Sequence, residues 1–186
     1  MKNQTLKNLV LTAMFLAIGL VLPFFTGQIK QIGNMLLPMH LPVFLCGLIC
    51  SWKYGLVLGF IMPIMRSAIF HMPVMYPNAV AMAFELATYG LVAGYLYDRS
   101  KYKCTKALYK SILSAMVAGR VVWGITEVIL LGISGEMFTL SAFVAGAFLK
   151  AVPGIIIQLV LIPAIMVALG KAKLVPLIRK KPKIKE

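Results

Sequence analysis

Long apolar runs recur through this chain, parted by short gaps that hold most of its charge. A helix needs roughly 20 apolar residues to cross a bilayer, and several of these runs approach that length. Of the 186 residues, 61% are hydrophobic and 13% charged, and the mean hydropathy is +0.91. A soluble domain of this size would need far more polar surface. The sequence therefore reads as an all-α integral membrane protein whose apolar exterior faces lipid. The length fits a single membrane domain over residues 1–186, with a basic tail at 171–186.

The runs predict six transmembrane helices: Leu6–Phe25, His40–Ser51, Tyr54–Phe70, Pro77–Tyr97, Leu108–Ile133 and Thr139–Leu169. The first lacks a small-residue cleavage site before the next span, so it reads as a retained helix and not a signal peptide. The second is short for a full crossing. It follows the polar, Gly- and Pro-marked segment Thr26–Pro38, the longest gap on one side. Together they can form a partly re-entrant passage, which lipid tolerates only where protein or a water-filled cavity shelters the backbone.

The formal charge of +14 could suggest nucleic acid, but its distribution argues for a membrane. With both termini placed in the cytoplasm, fifteen of the nineteen Lys and Arg fall on inner segments and Lys30 alone on an outer one. Such asymmetry is the positive-inside pattern of a multi-pass membrane protein, expected in the cell membrane. The tail, Lys171 to Lys185, can rest near anionic headgroups or remain solvated.

The other three cations, Arg66, Arg120 and Lys150, lie within spans, as do Glu85 and Glu127. Ionisable groups in the bilayer cost several kcal/mol unless paired or wetted, which makes them functional candidates. At ~1.5 Å rise per residue, Glu85 lies roughly 12 Å below the outer end of helix 4. Arg120 and Glu127 are two turns apart on one face of helix 5, with Trp123 along the same stripe. These charges run from mid-membrane outward and suggest an outward-opening polar pocket. The competing reading is structural pairing, Glu85 with Arg66 or Glu127 with Arg120. Three cations against two carboxylates would suit a solute bearing a carboxylate or phosphate.

Near the outer face, Tyr76 and Trp123 could stack on a ligand or hydrogen-bond to it. Equally, Tyr76 fits an interfacial belt and Trp123 a lipid or helix contact. The segment from His71 to Asn78 carries two prolines and could form a lip over the pocket. Asn78 could instead cap helix 4. His40 and His71 lack neighbours for a zinc site and read as loop or helix-end residues. Cys46 and Cys50 share one helix face and read as packing.

Several chemistries are missing. The chain has no phosphate-binding G-x-x-x-x-G-K-[ST] loop, no H-E-x-x-H and no G-x-S-x-G. Asp98 is its only aspartate, which argues against two-metal sites. The expectation is a non-enzyme without cofactor or metal. In helix 1, Ala13 and Ala17 form a small-residue face that permits close helix approach, either within the bundle or to a partner.

These features together resemble the substrate-binding S component of energy-coupling factor (ECF) vitamin importers. The resemblance rests on the size, the six spans, Ala13-x-x-x-Ala17 and the long outer segment after helix 1. It rests most specifically on Leu41-Pro-Val-Phe-Leu-Cys-Gly-Leu48 followed by Trp52-Lys-Tyr-Gly55-Leu-Val-Leu-Gly59. It implies high-affinity capture of a vitamin or related micronutrient from outside, with the loop between helices 1 and 2 as a gate. It also implies docking through Ala13 and Ala17 onto a membrane scaffold driven by two cytoplasmic ATPases. The block Leu41–Gly59 looks closest to pantothenate- and pyridoxine-type importers. Pantothenate, an anion, suits a net positive pocket. The site residues expected from the burial argument are Arg66, Tyr76, Asn78, Glu85, Arg120, Trp123, Glu127 and Lys150. Two other classes compete: a membrane-embedded enzyme acting on lipid, and a self-contained small carrier or channel.

Overall fold

The computed structural model describes residues 2–25, 38–101, 103–135 and 152–172. The described residues form six helices and no strand: α1 (Lys2–Phe25), α2 (His40–Cys50), α3 (Trp52–Phe70), α4 (Val80–Arg99), α5 (Thr105–Ile133) and α6 (Val152–Lys171). A wide turn at Met75–Ala79, broken by extended Tyr76, leads into α4. Five helical stretches are long and apolar enough to cross a membrane. The exception is α2, whose eleven residues rise only about 16 Å, half a bilayer. The six expected helices are thus all present among the described residues, five of spanning length and the second short, as its run length suggested. The expected gate segment, Lys30 and Lys150 lie outside the described residues, and so do the first half of the predicted sixth span and nearly all of the tail.

Interhelical contacts fix the relative directions. Asn8 Nδ2 donates to the Cys50 carbonyl at 2.9 Å, and Thr12 Oγ1 lies 3.6 Å from Cys46 Sγ, so α1 and α2 run antiparallel. Both cysteines are buried in that contact, in keeping with a packing role. Only Ser51, with φ of 124°, separates α2 from α3. Along α3 and α4 the helices also run antiparallel, and their backbones nearly touch. A Cβ at Gly90 would sit 2.2 Å from the Gly55 oxygen, and one at Gly59 would sit 2.3 Å from the Leu86 oxygen. No larger residue fits there. Lipid is as apolar as the helix surface, so close packing of this kind holds the bundle together. That gives the Trp52–Gly59 block a physical reason: its glycines weld α3 to α4.

A second packing layer joins α2, α4, α5 and α6 through Phe44, Leu48, Tyr97, Leu108, Ile112, Ile162 and Met166. The resulting directions gather the start of α1, the α2–α3 junction and the α4–α5 connection at one end. Lys7, Lys53, Arg99, Lys101, Lys103, Lys106 and Lys110 all belong to that end. α1 is peripheral. Its inner side packs Phe15, Leu11 and Leu16 on the core. Its outer side exposes Leu6, Leu9, Val10, Met14, Ile18 and Val21, and Ala13 and Ala17 are exposed too.

Candidate functional site

A polar cluster forms where α2 begins. The carboxylate of Glu85 on α4 accepts a hydrogen bond from Tyr89 at 2.6 Å, one helical turn further along. Arg120 Nη1, on α5, lies 3.0 Å from the same oxygen, Oε1. His40 Nε2, from the first residue of α2, lies 3.8 Å away. All four residues are buried. The Tyr89 ring stacks on Phe44 with centroids 5.0 Å apart and packs on His40 at 5.3 Å, so the aromatic wall holds the cluster in place. Gly119 lets α5 approach, because a Cβ there would sit 2.2 Å from the Tyr89 ring.

The cluster brings together two of the residues singled out by sequence, Glu85 and Arg120, but in a pairing that differs from both alternatives. Glu85 meets Arg120, not Arg66. The reason is helix placement: the glycine contacts put α4 between α3 and α5, and Glu85 faces α5. Tyr89 was not anticipated, and His40 was expected only as a polar companion of the buried charges and not as a site residue. His40 is a helix-end residue as expected, but it is almost wholly buried instead of loop-like. Two of the cluster's polar groups keep unused hydrogen-bonding positions: both ring nitrogens of His40 and Nε of Arg120 are buried without a hydrogen-bond partner among the described residues. Such atoms are rare in folded proteins and call for an account.

Glu127 lies seven residues beyond Arg120 on α5, about 10 Å along the axis and away from the basic end of the bundle. It is buried, and no hydrogen bond or ion pair to it occurs among the described residues. Trp123 lies between them on the same helix, half-buried.

The other expected residues sit at the end opposite the basic loops. Arg66, near the end of α3, donates through Nη1 to the Leu20 carbonyl of α1 at 2.7 Å. Its guanidinium packs over Phe24 at 5.3 Å and Phe70 at 5.5 Å. It therefore clamps α1 to α3. Tyr76 donates its hydroxyl hydrogen bond to the Leu130 carbonyl and accepts one from Ser134 Oγ at 3.1 Å, tying the wide turn to the end of α5. Asn78 is exposed in that turn. It does not cap α4, whose N-cap residue is Ala79. His71 ends α3 in a left-handed conformation, with its N–H bonded to the Ser67 carbonyl at 2.9 Å, which is the expected helix-end role.

Among known families, a profile of the ECF transporter substrate-specific component matches residues 7–169. The chain belongs to this family. As an S component it is a substrate-specific subunit of an ECF importer for a vitamin-like solute, it associates with ECF scaffold and ATPase modules, and it is a multi-pass membrane protein. Subunits of this kind bind a solute and do not transform it. No curated protein and no solved structure matches the chain.

Proposed function

We propose that this S component captures a vitamin or related micronutrient with high affinity in a pocket between α2, α4 and α5. Glu85, Arg120, His40 and Tyr89 form its floor, and Trp123 and Glu127 line its α5 wall. Tyr76, Asn78 and Arg66 stand at its mouth, where Arg66 steadies α1 and Tyr76 steadies the α3–α4 turn. The observation that carries the reading is the buried Glu85–Arg120 pair with unused donors beside it. A merely structural ion pair has no need of an unsatisfied histidine and guanidinium Nε around it, because buried polar groups are costly unless bonded.

The orientation follows from charge. The end that gathers Lys7, Lys53 and the basic α4–α5 connection faces the cytoplasm of a bacterial cell. Both termini then lie inside and the pocket opens outward. The exposed Ala13–Ala17 face of α1 docks on the scaffold.

The sequence suggested an anion such as pantothenate because three cations faced two carboxylates. Arg66 is engaged with the α1 carbonyl and two aromatic rings, which removes it from that balance. Arg120 and Lys150, the latter outside the described residues, then stand against Glu85 and Glu127, and this even balance no longer favours an anion. The reading kept here is a vitamin-like solute. Mass spectrometry of small molecules retained after gentle purification tests it. Recovery of one such metabolite, lost in Arg120→Met, supports the pocket; equal retention by that variant contradicts it.

A further inference from the structure

The outer surface of the α3–α4 pair carries two apolar stripes that end on cations. On α4, Phe84, Thr88, Leu91, Tyr95 and Arg99 recur every three or four residues and so share one face. On α3, Trp52, Leu56 and Phe60 do the same. The stripes meet at both ends. Phe60 and Phe84, both exposed, touch edge to face with centroids 5.5 Å apart. Trp52 and Tyr95 do so at 6.4 Å, near the basic end. Along the seam the backbones pack directly through Gly55, Gly90 and Gly94, which add no side chain to it. About 12 Å of α3 separates the two aromatic contacts, enough for the upper half of an acyl chain.

Lys53 and Arg99, both exposed, flank the Trp52–Tyr95 contact. Lys53 Nζ lies 5.5 Å from the Trp52 ring centre. Arg99 lies over the Tyr95 ring at 5.7 Å and donates through Nη1 to its hydroxyl, a bond that uses one of five guanidinium N–H groups. Anions are scarce at this end. The chain has five acidic side chains: Glu85 and Glu127 belong to the interior, Glu136 comes just after α5, Glu186 is the last residue, and Asp98 pairs with Lys103 at 3.7 Å. Among the described residues none pairs with Lys53 or Arg99. Tryptophan and tyrosine favour the headgroup level of a membrane, and basic pockets between spanning helices take anionic headgroups. We infer that this seam binds one anionic phospholipid. Its phosphate sits between Lys53 and Arg99 against Trp52 and Tyr95, and an acyl chain runs along Leu56 and Leu91 toward Phe60 and Phe84. A soluble anion or an acidic protein surface would use the two cations but not the apolar stripes that continue from them.

The test uses the full chain in detergent, titrated with phosphatidylglycerol, phosphatidylcholine or inorganic phosphate. Native mass spectrometry counts the lipid retained, and thermal unfolding measures stabilisation. The expected result is one phosphatidylglycerol held in preference to phosphatidylcholine, with no stabilisation by inorganic phosphate. Lys53→Gln/Arg99→Gln should weaken phosphatidylglycerol by at least about tenfold, since each cation near a headgroup is worth a severalfold change in affinity. Lys101→Gln/Lys106→Gln removes the same charge from the same end and should leave retention close to the wild-type level. Equal weakening by the two double variants would mean diffuse surface charge and overturns the inference, as does retention of both lipids alike. Stabilisation by inorganic phosphate that matches phosphatidylglycerol would make this a free-anion site and also overturns it. If Lys53→Gln/Arg99→Gln instead loses the ATPase module and keeps its lipid, the cations serve a protein contact and the lipid assignment is wrong.

Discussion

Arg120 on α5 and Glu85 on α4 share a 3.0 Å contact in the membrane interior, with Tyr89 bonded to the same carboxylate oxygen. Each side chain is the other's main compensation for leaving water. Removing either alone leaves a buried charge exposed to a low dielectric, a loss of about 3–5 kcal/mol. Glu85→Ala and Arg120→Ala should therefore each lower the melting temperature sharply. The double variant Glu85→Leu/Arg120→Met should be clearly more stable than either single variant, because no charge is orphaned. Thermal unfolding in detergent measures this. A double variant that simply adds the two losses would show that the contact is not an energetic pair.

The α3–α4 weld makes a second prediction. Gly90→Ala puts a methyl 2.2 Å from the Gly55 oxygen, and backbone cannot yield as a side chain can. Overpacking of this sort costs about 1–3 kcal/mol or more. Gly132→Ala is the control, since a Cβ there meets nothing within 4 Å, and alanine is the better helix former by about 1 kcal/mol. The first variant should lose thermal stability and the second should keep or gain it. Equal behaviour would mean that the two helices are not in backbone contact.

Ala13 and Ala17 lie on the exposed side of α1. Replacing both with leucine should abolish uptake by the assembled importer and leave solute binding by the lone chain intact. Uptake and binding assays on the same variant separate the two. If binding falls as far as uptake, the stripe serves packing within the chain and the docking assignment is wrong.

The clamp at Arg66 makes a fourth prediction. Arg66→Ala removes the bond to the Leu20 carbonyl and the packing on Phe24 and Phe70. Amide hydrogen exchange in the last two turns of α1 should rise, while exchange in α4 stays at the wild-type level. Unchanged exchange in α1 would show that Arg66 does not hold that end.

The legible part of this molecule was what local sequence controls. Run lengths located all six helices, and α3 and α5 begin or end within a few residues of their expected limits. Buried charge singled out Glu85, Arg120 and Glu127 because an ionisable group in an apolar run has few bland explanations. Pairing was harder to read, since it depends on how each helix is rotated about its axis. That rotation is set by Gly55, Gly59 and Gly90, whose contacts between α3 and α4 span about thirty residues of sequence and leave no local periodicity. Tyr89 could have been found, since it follows Glu85 by one turn. His40 stands out as a polar residue among the apolar runs, but its partner does not, being forty-five residues away. The shortness of α2 was visible, but its consequence was not. His40 reaches the cluster because α2, eleven residues long, rises only about 16 Å from the basic end.

The central claim is that this chain holds a solute by itself and moves it only with partners. Uptake of radiolabelled solute into liposomes containing the purified chain measures this most directly, with and without the scaffold and ATPase subunits and ATP, using the metabolite that copurifies with the protein. The account predicts saturable binding by the lone chain with no accumulation, and ATP-dependent accumulation once the partners are added. Accumulation or steady flux through the lone chain without ATP would contradict it.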